Sequence, residues 1–307
     1  MLRPMKIGII GMGWVGSSVA ISTLQAGAAQ ELLLNDARAE LAEGEAMDLR
    51  HGASFYPSAR IGTASVHEMR DADAVVIAAG RGGTADESRL ELLRDTAAIA
   101  RSIGRELTGA KGLVVVVSNP VDVLTQLVLE SSGLPASRVV GTGTMLDTAR
   151  LRQVVGRELD LDPRSIHAHV VGEHGDSEVV LWSGAQAGGV PLRKWPGWQP
   201  AREQALTEEV RHAAYEIIRR KGATNHAIGL VTAALLRWSL RDERRVLTVS
   251  RLQEGAAGLH DVALSLPTIV GREGAELVLE PVCNEEERAA LHASADVLRR
   301  TRASIDG

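Results

Sequence analysis

The sequence predicts an α/β fold: a doubly wound parallel sheet followed by an α+β part with antiparallel strands. Short apolar, β-branched runs alternate with helical stretches as far as Gly141, the pattern of a parallel sheet covered on both faces. Beyond Gly141 the alternation stops, and helices mix with strand-rich segments. The chain has 307 residues, 45% hydrophobic and 24% charged. That is enough for a sizeable core and, at roughly 100–200 residues per domain, for about two domains.

The first element is Lys6–Ile10, a short buried strand. Gly11-Met12-Gly13-Trp14-Val15-Gly16 follows, then a helical stretch from Ser17 to Ala26. Glu31–Asn35 reads as a second buried strand and Ala37–Leu49, rich in Ala, Glu and Leu, as a helix. Ala59–Thr63 and Ala74–Ala79 read as strands. A loop rich in Gly, from Gly80 to Ser88, leads into a long helical pattern from Arg89 to about Leu107. Leu113–Val117 is a strand, Val121–Ser131 a helix, and Arg138–Gly141 a last short strand. The expected division falls there, with 1–141 and 142–307 as the two domains. In the second part, helices are expected at Leu146–Leu159, Ala201–Lys221 and Asn225–Leu240. Val246–Ser250, Val262–Pro267 and Leu277–Leu279 read as antiparallel strands, and Asn284–Arg300 as a closing polar helix. Leu192–Pro200, with Trp195 and Trp198, reads as an ordered surface loop, its tryptophans serving either packing or an oligomer contact.

Composition excludes several classes. A net charge of −5 offers no basic field for nucleic acid or an anionic membrane. Five Trp, two Tyr and one Phe are too few for a base-stacking platform. The single cysteine, Cys283, excludes an internal disulfide framework and any multi-cysteine zinc site. The apolar runs fall far below the roughly 18 residues that span a bilayer. The run at Ile7–Ile10 is too short for a signal-peptide core, so a cytoplasmic location is expected.

Gly-x-Gly-x-x-Gly is weak by itself, but here it joins a predicted strand to a predicted helix. In a Rossmann-type sheet Gly11 makes the tight turn, Gly13 admits a pyrophosphate, and Gly16 permits close helix–strand packing. The helix N-terminus offers free N–H groups to the phosphates. Asp36 lies at the end of the second predicted strand, where a carboxylate bonds a ribose 2′-OH and repels a 2′-phosphate. The expected cofactor is therefore NAD, with Arg38 as the counter-indication, since a nearby Arg accommodates that phosphate.

Longer motifs follow in order: Ser118-Asn119-Pro120-Val121-Asp122, Gly141 to Arg150, Gly172-Glu173-His174-Gly175-Asp176-Ser177, Lys221-Gly222-Ala223-Thr224 and Ser265-Leu266-Pro267. With the glycine turn and Asp36, they make the chain resemble the lactate/malate dehydrogenase family along essentially its whole length. Within that family it is most similar to bacterial L-lactate and L-2-hydroxyacid dehydrogenases. The resemblance implies hydride transfer between NAD and a small 2-hydroxy acid. Such chemistry needs an acid/base group, a carboxylate clamp, a carbonyl polariser and a dry pocket.

His174 suits the acid/base role, with an ordinary pKa near 6.5. The resemblance places it at the family's catalytic histidine and Asp147 at the carboxylate that orients it. Arg150, three residues after Asp147 and on the same helix face, matches the bidentate clamp. Arg89 matches the residue that polarises the carbonyl. Asn119 matches a residue between nicotinamide and substrate oxygen, and Thr224 and Ile228 match pocket-lining positions. Val15 and Gly80 join the implied cofactor contacts.

Gly83 is the informative departure. Six residues before the loop arginine, lactate dehydrogenases typically carry Gln and malate dehydrogenases Arg. Gly83 supplies no cation for a second carboxylate, and an unpaired charge in a closed pocket is costly. Malate is therefore disfavoured unless Arg81 swings in, and pyruvate or a larger 2-keto monocarboxylic acid is expected. Arg152 and His167 match the pair by which many bacterial lactate dehydrogenases bind fructose 1,6-bisphosphate between subunits, which implies a homo-oligomer, tetramer or dimer. Two other classes compete. An NAD-dependent glycoside hydrolase needs a metal held by Cys and His, and Cys283 lies far from His174 in sequence. A nucleotide sensor without catalysis would lack one of His174, Asp147, Arg89 and Arg150.

Overall fold

The computed structural model describes residues 4–82 and 88–306. Its first part runs β1 (Lys6–Ile10), α1 (Trp14–Gln25), β2 (Glu31–Asn35), α2 (Ala39–His51), β3 (Arg60–Thr63), β4 (Ala74–Ile77), α3 (Arg89–Glu106), β5 (Leu113–Val116), α4 (Val121–Ser132) and β6 (Val139–Gly141). These six strands pair in parallel in the order β3-β2-β1-β4-β5-β6. The order reverses between β1 and β4, and in such sheets ligands bind outside the carboxyl ends of the strands at that point. β4 and β5 are buried throughout, as expected of central strands covered on both faces.

The second part runs α5 (Met145–Leu159), β7 (Ile166–His167), β8 (Val170–Val171), β9 (Val179–Val180), β10 (Gln186–Ala187), β11 (Val190–Pro191), α6 (Glu203–Lys221), α7 (His226–Leu240), β12 (Arg245–Glu254), β13 (His260–Gly271), β14 (Gly274–Val278) and α8 (Glu285–Asp306). The antiparallel strands β12, β13 and β14 do not form a sheet of their own. β12 pairs antiparallel with β6 at Ser250 and Gly141, so all three extend the parallel sheet to nine strands. This satisfies the backbone groups that β6 would otherwise leave on an open edge.

α1 and α8 differ from their sequence reading, while the Leu192–Pro200 loop keeps to its own. α1 begins at Trp14 rather than Ser17, because the glycine turn runs straight into the helix with Gly13 as its N-cap. α8 is not polar all round: Leu291, Ala295, Leu298 and Ile305 bury one stripe against the core. In the Leu192–Pro200 loop, Leu192 and Trp198 are buried. Trp198 packs 5.9 Å from Trp182 and donates to Glu203 at 3.2 Å, which makes it a packing residue.

Helix α7 crosses back onto α1. A Cβ at Gly229 would lie 2.6 Å from the Ser18 carbonyl oxygen, so the two backbones touch. Asn225 adds a hydrogen bond to Ser18 Oγ at 2.9 Å. Among the described residues no helix is long and apolar enough to cross a membrane.

Candidate active site

At the switch point the three glycines differ in what surrounds them. Gly11 sits at φ +93°, where a side chain would be strained and its Cβ would lie 2.5 Å from the Ala79 nitrogen. A Cβ on Gly16 would lie 1.8 Å from the Gly11 oxygen. A Cβ on Gly13 would meet nothing within 4 Å among the described residues beyond its chain neighbours. The turn is therefore closed on two sides and open on the one that faces the N-terminus of α1, the shape a pyrophosphate requires. Asp36 braces the turn, accepting from Met12 N at 2.8 Å, and lines a cavity of about 360 Å³ with Asn35, Ala39, Thr63 and Ser65. Arg38 stands beside it, its backbone N–H donating to Asp36 Oδ1 at 2.9 Å and its exposed guanidinium 3.9 Å from the same carboxylate. This donor set fits NAD, with Asp36 within the cavity that would take a ribose.

A second cavity, of about 540 Å³, is lined by Asn119, Asp147, Arg150 and His174, with walls from α3 and α6. Its polar residues are brought there by stitching between α5 and the segment around β8. Thr144 Oγ1 donates to Val170 O at 2.6 Å, and Val170 N donates to Thr148 Oγ1 at 3.0 Å. Gly172, at φ +85°, then turns the chain, anchored by backbone bonds to Ser265 of β13. His174 follows two residues later. Its backbone N–H donates to Asp122 Oδ2 at 2.7 Å, so the loop is pinned to the start of α4.

The imidazole meets Asp147 through Nδ1, 2.6 Å from Oδ2. Arg150 donates from its guanidinium to Oδ1 of the same carboxylate at 2.7 Å. Asp147, itself buried, thus carries both cations on one group. Burial works against a charged His174. The Asp147 carboxylate, its hydrogen bond and the Asp122 charge outweigh it, and they raise His174 to about 9 despite Arg150. Burial likewise opposes the Asp147 anion, but His174 and Arg150 hold its pKa below the usual carboxylate value. Asp122 is pushed up by burial to about 6, with the bond from the His174 backbone and the His174 charge limiting the rise.

The other expected site residues are more dispersed. Thr224 lies in the half-buried turn between α6 and α7, off the lining of the large cavity. Val15 in α1 and Ile228 in α7 pack together against the core on that side of the sheet. Gly80 faces Thr96 of α3, where a Cβ would make ordinary contact at 3.7 Å. Gly83 lies outside the described residues, as does the side chain of Arg89. The Arg89 backbone opens α3, set there by a Ser88 N-cap and its reciprocal bonds with Glu91. Arg81 is bonded to Asp95 of α3 at 2.9 Å.

Arg152 is half-buried, which pushes its guanidinium pKa down, and it donates to Ala168 O at 3.2 Å. His167 is exposed on β7. Both charges act on His169 between them, which burial first and then these neighbours lower to about 4. Sequence reasoning missed Asp122, Glu178 and Arg211. Asp122 stood inside a quoted motif, and Glu178 lies four residues past His174, but neither has a local signature of burial.

The chain matches two family models. One describes the lactate/malate dehydrogenase NAD binding domain, over residues 5–141, and the other the alpha/beta C-terminal domain of the same family, over residues 144–305. It is 45% identical to an L-lactate dehydrogenase of a Synechococcus over 304 residues, 98% of this chain and 99% of that one. It is 43% identical to an L-lactate dehydrogenase of Thermus aquaticus, covering 98% and 99% of the two chains. The solved structure of the minor L-lactate dehydrogenase from Enterococcus mundtii in a ligand-bound form superposes with a TM-score of 0.95 at 39% identity, covering 98% of both chains.

Proposed function

The chain belongs to the lactate/malate dehydrogenase family, and from that premise we propose how its cavity reduces a 2-keto monocarboxylic acid. It is an NAD-dependent, L-lactate dehydrogenase-like oxidoreductase acting on a CH–OH group. The observation that carries the catalytic reading is the shared Asp147 carboxylate, bonded to His174 on one oxygen and Arg150 on the other inside a single cavity.

When bound, NADH supplies the hydride that reaches the keto carbon. Arg150 clamps the substrate carboxylate with donors that Asp147 does not occupy. His174, protonated at neutral pH, gives its Nε2 proton to the oxygen that becomes the hydroxyl, and the same atom accepts it in the reverse direction. Asp147 holds the Nδ1 side of the ring and stabilises the imidazolium, as in the His–Asp part of a hydrolase triad. Arg89 polarises the carbonyl, Asn119 bonds near the reacting oxygen, and Thr224 and Ile228 border substrate and nicotinamide. Gly11, Gly13, Val15, Gly16, Gly80 and Asp36 hold the dinucleotide. Residues 1–141 thus serve the cofactor and 142–307 the substrate.

Gly83 brings no charge to the substrate, and the Asp95 ion pair of Arg81 supports a pocket selective for monocarboxylates over oxaloacetate. The proposed setting is the cytoplasm, where a free thiol such as Cys283 stays reduced. The proposed assembly is a homotetramer in which Arg152 and His167 meet their symmetry copies around fructose 1,6-bisphosphate. One experiment tests the substrate reading. Pyruvate, oxaloacetate, 2-ketoisocaproate and phenylpyruvate are assayed with NADH and NADPH, with and without the bisphosphate. The expected outcome is a monocarboxylate preference in kcat/KM with NADH. A preference for oxaloacetate would sink the proposal.

A further inference from the structure

One ionisable side chain in the wall of the cavity that holds His174 and Arg150 has no part in the reaction as described. Glu178 ends the turn that begins at Gly175 and immediately precedes β9. It is 4% exposed, and its Oε1 meets no hydrogen-bond donor among the described residues. The charged groups facing it are Asp147 and Arg150 from α5, His174 from the preceding turn and Arg211 from α6. Arg211 does not neutralise it by pairing. One of its nitrogens is held by Glu208 at 2.7 Å, another reaches the Glu178 backbone oxygen at 3.4 Å, and Nε is buried without an acceptor among the described residues.

Charge counting explains why such a carboxyl belongs here. Asp147 already balances Arg150 or His174, and the substrate brings one more anion to Arg150. A further negative charge in a buried wall would have no cation of its own and would repel that anion. We propose that Glu178 is a positioning residue that keeps its proton while the anionic substrate is held, and that its ionisation weakens the hold of Arg150 on the substrate carboxylate. The inference rests on the dehydrogenase reading for its kinetic consequence only. Burial foremost, then the Asp147 charge, place its titration at about 8, against the pull of His174, Arg211 and Arg150.

Two measurements test it. Infrared difference spectroscopy of the free protein is expected to show a protonated-carboxyl band at pH 7.5 that titrates away near pH 8 and is missing in Glu178→Gln. The same band in both proteins, or none in the wild type, overturns the proposal. This arm needs no substrate, so it decides the proton even if no keto acid is turned over. In steady-state reduction, Glu178→Gln is expected to match the wild type within about twofold at pH 6.5, because Gln is the isostere of the neutral acid. Between pH 7 and 9 the wild-type KM is expected to rise about tenfold more than that of the variant, with kcat in parallel, a factor equal to one pKa unit of interaction. Equal KM rises overturn the proposal, as does a variant already impaired about tenfold in KM at pH 6.5.

Discussion

Asp147 divides one negative charge between two tasks, since Arg150 and His174 bond its separate oxygens. The consequence is a histidine protonated up to about pH 9. The sign follows directly. In the proposed reaction ketone reduction uses the protonated ring, so its kcat is expected to stay level through neutral pH and fall above about 9. Oxidation of the hydroxy acid uses the neutral ring and is expected to climb toward the same pH. In Asp147→Asn the attraction is gone and burial dominates, so both breaks are expected to move down by at least about one pKa unit. Unmoved breaks in the pH profiles would show that Asp147 does not set the histidine. His174→Ala is expected to lose about 10²–10⁴-fold in kcat, the usual worth of a placed acid/base group. His174, Asp147, Arg150 and Asn119 were marked in the sequence by the family resemblance, and they line one cavity. Glu178 and Arg211 were not. Their burial depends on α6 packing over the segment between β8 and β9, 33 residues away in sequence.

Among the elements, α1 shows how a motif becomes a binding surface. Its three glycines look equivalent in sequence, yet no described residue fills the space above Gly13 while Gly16 is against the Gly11 carbonyl. Gly13→Ala is therefore expected to fold with an unchanged Tm but lose NADH affinity, read by fluorescence titration. Gly16→Ala is expected to lose affinity and also about 1–3 kcal/mol of stability, because rigid backbone must shift. Equal Tm values for the two variants would contradict the packing described. The start of α3 carried a readable signal, Ser88 and Glu91 in capping-box spacing, and the helix does begin between them. The buried stripe of α8 was also present in the spacing of Leu291, Ala295 and Leu298, but the charges around it obscured it.

At the scale of the molecule, the first and second parts of the chain are joined at several places, the His174 loop on α4 among them. β12 continues the sheet beyond β6, and α7 lies in backbone contact with α1. A chain so joined is expected to unfold in a single calorimetric transition. Gly229→Ala, which forces α7 off the Ser18 carbonyl, is expected to lower that one transition rather than split it. Two resolved transitions in the wild type would show that the halves are independent. The alternation of strand and helix and the glycine turn could be read without coordinates, because periodicity and backbone freedom are local properties, and the acid/base residues were marked by the family resemblance. That the antiparallel strands finish the parallel sheet, that one carboxylate serves two cations, and that Glu178 is shut away from solvent were decided by packing. Each depends on segments far apart in the chain meeting, and burial, which sets the charge a side chain can hold, exists only once they have met.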